Sequence, residues 1–247
     1  MRRIRFAGWM MLVLLLLGSG GQAAQAEQLV PLKIMPLGDS ITCSLEFQAS
    51  YRYYLWHRLL NAGYSIDFVG SLKGVFNGNP PLYPDFDQDH EGHSGYRAQD
   101  VLPVVKTWAQ AAQPDVVLIH LGTVDMFNGD SISATIDALG GIIDKLREVK
   151  PNVKILLAQI IPARDDGVRA QIQLLNAAIP GLVKEKNSPV SPVRVVNQYT
   201  GFDPWNDTVD GVHPNGSGEQ KLAWNWYAVF RILMNGHPRV YLPLTMK

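Results

Sequence analysis

The sequence of 247 residues has a single cysteine, Cys43, which excludes an internal disulfide framework and any multi-cysteine metal site. It also lacks a charge bias: 22 Lys and Arg balance 22 Asp and Glu. A nucleic-acid binder working by bulk electrostatics needs a basic face, so no nucleic-acid partner is expected. Long hydrophobic runs are missing too, apart from one near the amino terminus. Charged residues are 18% and hydrophobic ones 47%, a balance that builds a sizeable core and argues against disorder.

The one apolar run follows Met1-Arg2-Arg3-Ile4-Arg5, spans Phe6 to Gly18, and leads to Ala24-Gln25-Ala26. A positive start, an apolar middle and an A-x-A end form the pattern of a cleaved secretory signal. The run is shorter than the ~20 residues a membrane helix needs. Residues 1–26 are therefore expected to be a signal peptide, and 27–247 a single domain, secreted to the periplasm or the exterior without stable membrane insertion. An uncleaved anchor is the competing reading.

The remaining chain alternates short apolar runs with helical patterns. Strands are predicted at Lys33–Leu37, Ile66–Val69, Asp115–Leu121, Val153–Ile160 and Val193–Asn197. Helices are predicted at Tyr51–Asn61, Arg97–Ala112 with Pro103 in its first turn, Ser131–Val149, Arg169–Lys186 and Gly218–Met234. Alternation of this kind predicts an α/β fold, a three-layer α/β/α sandwich around a five-stranded, mainly parallel sheet. The stretch from Lys73 to Tyr96 lacks periodicity and is dense in Gly, Pro, Asn and Asp, as in a functional or mobile loop. Ligands of open α/β sheets bind outside the carboxyl ends of the strands. Three polar segments fall there: Gly38-Asp39-Ser40, Gly122-Thr123-Val124-Asp125 and Asp210-Gly211-Val212-His213-Pro214.

These segments supply a serine, a histidine, and an acid three residues before that histidine. A serine hydroxyl needs a base to take its proton and a third group to orient that base. Other readings compete. Gly38-Asp39-Ser40 is also ordinary strand-to-helix turn chemistry with a capping residue. Gly92-His93-Ser94-Gly95 misses the G-x-S-x-G elbow by one place. His90 and His93 stand at i, i+3 rather than the i, i+4 of a zinc helix, and Asp85, Asp87 and Asp89 lack the Gly and Glu of a calcium loop, so no metal is expected. Phe76, Tyr83, Phe86 and Tyr96 anchor the long segment or stack on sugar rings, anchoring being the simpler role. The sequons at Asn206 and Asn215 flank the Asp–His pair, where a glycan would crowd the site, so neither is expected to be used.

In order along the chain, Ile34–Thr42, Glu91–Gly95, Gly122–Asp125 and Asp210–Pro214 resemble the first, second, third and fifth blocks of the SGNH (GDSL) hydrolases. Ile34–Thr42, Tyr51–Gly70 and Asp85–Gly95 most resemble carbohydrate esterase family 3, the acetyl xylan esterases. The resemblance implies an SGNH, flavodoxin-like sandwich and a serine esterase without cofactor. Ser40 would be the nucleophile, His213 the base and then the acid, and Asp210 the residue that orients the imidazole. The backbone N–H groups of Ser40 and Gly95 would serve the oxyanion. The third donor in the family is an Asn side chain, and its position here is Val124, which has no donor. The resemblance implies an acylated carbohydrate such as acetylated xylan, or a small ester, as the substrate partner; oligomeric state is left open. A short-chain carboxylesterase or lipolytic esterase is the alternative within the class. Outside it stands a catalytically silent carbohydrate-binding relative, motivated by Val124. A flavodoxin-like nucleotide-binding domain would need a Gly-rich phosphate loop after the first strand, and there is none.

Overall fold

The computed structural model describes residues 30–235. The expected signal segment and the stretch from His237 to Lys247 lie outside the described residues. Chain order is β1 (Leu32–Gly38), α1 (Ser40–Cys43), α2 (Ser50–Asn61), β2 (Ile66–Phe68), β3 (Leu72–Lys73), a 3₁₀ turn at Phe76–Gly78, β4 (Asp89–Gly92), α3 (Ala98–Val101) and α4 (Val105–Ala112). It continues with β5 (Val116–His120), α5 (Thr123–Asn128), α6 (Ile132–Val149), β6 (Lys154–Gln159), α7 (Asp166–Lys186), β7 (Val193–Asn197) and α8 (Gly216–Leu233).

The five expected strands are all present and all parallel, with β1 between β2 and β5, and β6 and β7 following outward. All of Val116–His120 is buried, as its unbroken apolar run requires of a strand covered on both faces. Alternate side chains of β1 feed two cores. Met35 and Leu37 pack with α3, α4, α6 and α7, while Leu32 and Ile34 pack with α2 and α8. This is a three-layer α/β/α sandwich, as expected. On α8, helical spacing puts Leu222, Trp226, Phe230 and Leu233 on one stripe; the first three are buried and Leu233 is partly buried against the same core.

The structure departs from these expectations in two places. The segment from Lys73 to Tyr96 is not structureless: β4 pairs in parallel with the carboxyl end of β1, Leu37 opposite Glu91 and Gly38 opposite Gly92. β3 adds an antiparallel edge to β4, so the sheet has seven strands rather than five. Asp-His-Glu-Gly has poor strand propensity, and pairing comes from backbone groups that β2, ending at Phe68, leaves open on β1. The second departure is the helix expected at 97–112. It breaks into α3 and α4 around Leu102–Val104, and Pro103 sits in the break rather than in a first turn. Proline has no N–H to give and its ring crowds the preceding turn, so the helix restarts beyond it.

Candidate functional site

Ser40 opens α1 directly beyond β1. Asp39 caps that helix, its Oδ1 accepting from the Ile41 N–H at 2.9 Å. Capping and site-building are thus one arrangement. Gly38 is required by close approach: a Cβ there would stand 2.2 Å from Thr42 Oγ1 and 2.6 Å from the His120 carbonyl oxygen. Any side chain would push α1 off the sheet. Asp39 is fully buried, and burial pushes its carboxyl up to about 6 against the opposing Ile41 hydrogen bond.

His213 reaches Ser40 from the far end of the chain, with Nε2 2.9 Å from Ser40 Oγ. Its Nδ1 lies 2.7 Å from Asp210 Oδ2. A carboxylate only accepts, so Nδ1 carries the proton and donates it, leaving the Nε2 lone pair facing the serine hydroxyl. The other carboxylate oxygen, Asp210 Oδ1, accepts from the main-chain N–H groups of Val212 at 3.0 Å and His213 at 2.8 Å. Burial alone would raise the Asp210 carboxyl; the bonds from His213 and Val212 outweigh it and hold it below the ordinary carboxylate range. The acid is therefore ionised and fixed relative to the imidazole.

The loop carrying this pair is braced from its own neighbourhood. The Asp207 carboxylate accepts from the Asp203 N–H at 2.7 Å and the Ser217 hydroxyl at 2.8 Å. The Gly211 N–H donates to Thr208 Oγ1 at 2.8 Å, and the Arg164 N–H donates to the Gly211 carbonyl at 2.8 Å. Asn215 caps α8 through Ser217 and Gly218 while its amide N–H donates to the Asn206 carbonyl, so that sequon side chain is committed to hydrogen bonds on both sides.

The remaining expected residues arrive by other routes. Gly95 lies in an exposed turn three residues beyond Gly92, and the His93 N–H donates to the Gly38 carbonyl at 2.8 Å, tying that turn to the strand end before Ser40. Val124 is half-buried in the first turn of α5, beyond β5. Asp125 holds elements together: it accepts from the Ala98 N–H at 3.1 Å and from the Thr135 hydroxyl at 3.3 Å, joining α5 to α3 and α6.

His90 and His93 take separate roles. His90 Nδ1 accepts from the Gly92 N–H at 3.0 Å, and burial, with Arg52 nearby, lowers its pKa to about 2. His93 lies 2.6 Å from Glu91 Oε1 and stacks on Trp108. Among the described residues no three His, Cys, Asp or Glu side chains group as a metal site. No helix among them is long and apolar enough to cross a membrane.

Sequence reasoning missed two buried ionisable groups beneath α1. Arg52, fully buried on α2, donates to the carbonyls of Thr42 at 3.0 Å, Cys43 at 3.1 Å, Gln88 at 2.7 Å and Gly74. Glu219, buried in the first turn of α8, accepts from the Ser44 hydroxyl at 3.2 Å. Burial lowers the Arg52 pKa to about 10.

Comparison with known proteins identifies relatives of the whole fold. The GDSL-like Lipase/Acylhydrolase family model matches residues 37–221. A multidomain esterase of Ruminococcus flavefaciens is 31% identical over 218 residues, which cover 79% of this chain and 28% of that relative. The chain thus spans under a third of that protein's length. An acetyl esterase crystallised with an acetate ion superposes with a TM-score of 0.74 at 33% identity, covering 84% of this chain and all (100%) of that one. A Clostridium thermocellum family 3 carbohydrate esterase superposes at 0.69 with 34% identity, covering 83% and 99%.

Proposed function

Since the chain belongs to the GDSL-like lipase/acylhydrolase family and is an ester hydrolase, we propose that it removes acetyl groups from a polysaccharide such as xylan, through an acyl-enzyme on Ser40. The observation that carries this reading is the continuous hydrogen-bonded path from Ser40 Oγ through the His213 imidazole to Asp210.

In this reading Nε2 takes the hydroxyl proton as Ser40 Oγ attacks the ester carbonyl carbon. Ionised Asp210 stabilises the imidazolium that forms. The main-chain N–H groups of Ser40 and Gly95 donate to the oxyanion. His213 then returns the proton to the departing sugar oxygen, which leaves as an alcohol. Water, deprotonated by the same nitrogen, releases acetate and restores the serine. Val124 supplies no third donor, so the enzyme is slower than an otherwise identical one with Asn there. Export is part of the same proposal and rests on the amino-terminal pattern.

The test is covalent. An organophosphonate should label Ser40 and no other serine, and the protein should release acetate from acetylated xylan. A series of p-nitrophenyl esters should favour the acetyl member. Preference for long acyl chains with no acetate released from the polymer would overturn the carbohydrate assignment; an unlabelled Ser40 would overturn the enzyme mechanism.

A further inference from the structure

We propose that the groove beside the Gly95 turn is a subsite for a second sugar ring, next to the acylated one, with Phe76 and Tyr96 as its stacking platforms. The proposal rests on the ester-hydrolase reading above and assigns its polymer specificity to two residues.

The groove has a volume of about 460 Å³, and its lining includes Ser94 and Tyr96, the residues on either side of Gly95. Ligand clefts run from roughly 300 to 1,000 Å³. One wall adjoins the site: Cys43, which lines the groove, ends the short helix α1 that Ser40 opens. Gly92 opposes Gly38, two residues before Ser40, and a Cβ on Gly92 would stand 2.5 Å from the Cys43 backbone nitrogen in α1. The other wall is the segment around β3 and the 3₁₀ turn, which brings Phe76, Lys73 and Asn77.

The aromatic residues of this region divide into two groups. Phe86 is buried in the core under α2, and the Tyr53 ring meets both Tyr83 at 5.0 Å and Phe86 at 5.8 Å. Those contacts anchor the segment, although Tyr83 itself stays 43% exposed, away from the groove lining. Phe76 and Tyr96 remain 40% and 38% exposed, and both line the same groove. Scattered exposed aromatics are ordinary; two converging on one cleft next to a reaction centre mark a binding surface.

The Tyr96 ring is held by stacking, and the Phe76 backbone by its turn, before any ligand arrives. Tyr96 stacks on His93 with centroids 4.9 Å apart, and His93 stacks on Trp108 at 4.2 Å and 7°. The Phe76 N–H donates to the Ser44 carbonyl at 3.1 Å, and the Val75 N–H closes the turn on the Asn79 carbonyl at 2.8 Å. Rigid aromatic faces lower the ordering cost of binding. A pyranose presents flat C–H faces to such rings and hydroxyls to groups such as Lys73 and Asn77. A long acyl chain laid here would meet those polar groups without hydrogen bonds to offer them, which is unfavourable.

The experiment measures kcat/KM on an acetylated xylo-oligosaccharide and on p-nitrophenyl acetate, and takes their ratio. Phe76→Ala and Tyr96→Ala should each lower the ratio ~2- to 12-fold, the range of one aromatic contact, and Phe76→Trp should largely retain it. An unchanged ratio in both alanine variants, with thermal midpoints near the parent's, overturns the subsite while leaving the esterase reading intact. Lower turnover of p-nitrophenyl decanoate with an unchanged oligosaccharide ratio makes the groove an acyl channel and also overturns it. If the parent protein turns over neither substrate, the esterase reading fails separately. Calorimetry on Ser40→Ala then decides the subsite: binding of unacetylated xylo-oligosaccharide that is lost with Phe76→Ala supports it, and no binding in either background overturns it.

Discussion

The two halves of the site are built differently. The nucleophile sits on long-range structure: Gly38 is in register with Gly92 and His120, and Arg52 ties α1 to carbonyls at Gly74 and Gln88. Asp39, Arg52 and Glu219 beneath it are all buried. The base sits on more local structure: most bonds of its loop close within residues 203–217, although Arg164 also donates to the carbonyls of Gly211, Pro204 and Trp205 and Lys221 to Asp207, and the Asp210 side chain is 48% exposed. Damage to the first half should therefore be felt by the whole fold. Damage to the second should be felt by chemistry alone.

The sharpest break of that contrast is His213→Ala. Turnover should fall ~10⁴-fold or more, as for loss of a catalytic base that acts with its partners as a unit. The thermal midpoint should move little, because the hydrogen bonds of the His213 ring run to two site residues, Asp210 and Ser40, and its side chain keeps 22% of its surface exposed. A large drop in melting temperature would show that the base loop is not independent.

Arg52→Met is the mirror experiment. It strands buried carbonyls at Thr42, Cys43 and Gly74, while the half-buried Gln88 carbonyl keeps the Gly74 N–H at 3.3 Å. Each unsatisfied buried group costs about 1–3 kcal/mol, and with partial rehydration the loss should reach about 3–5 kcal/mol. In a domain of this size that is a fall of about 10 °C, read by calorimetry. A midpoint within about 2 °C of the parent's would contradict the anchoring role.

Val124→Asn tests the half-site between them. If the Asn side chain takes up the family's donor position, turnover of an acetyl ester should rise by ~10²-fold, the scale of one oxyanion donor. No gain would mean that another group already fills that role.

Legibility in the sequence follows the same division. Asp210 and His213 are readable because their geometry is local, a helix-like spacing of three with a glycine between them. Ser40 is readable because β1 ends in an apolar run followed by small polar residues. The buried strands β5 and β6 announce themselves by composition, and the edge strand β7 by its valines. Arg52 does not, since an arginine within a helical pattern reads as a solvated face; its one signal is its place between Tyr51 and Leu55, both of which the structure buries. β4 is hidden because its sequence, Asp-His-Glu-Gly, becomes a strand only through the partner that β1 offers. Glu219 reads as an acid favouring a helix start, whereas burial decides its behaviour.

That burial makes the last prediction. Desolvation raises the Glu219 carboxyl from 4.5 to about 8, against the opposing pull of the Ser44 hydroxyl and the Arg52 charge. The folded protein therefore keeps this proton up to about pH 8, while the unfolded chain releases it near 4.5. Between those values the folded state binds more protons, so stability falls as pH rises. The slope for one such group is at most about 1.4 kcal/mol per pH unit. Glu219→Gln retains the acceptor for Ser44 and removes the titration. Its melting temperature should match the parent's most closely near pH 5 and exceed it progressively toward pH 8. A constant offset across that range would mean that Glu219 ionises as freely in the folded protein as in the unfolded chain, and that the buried half of the site is wetter than its packing indicates.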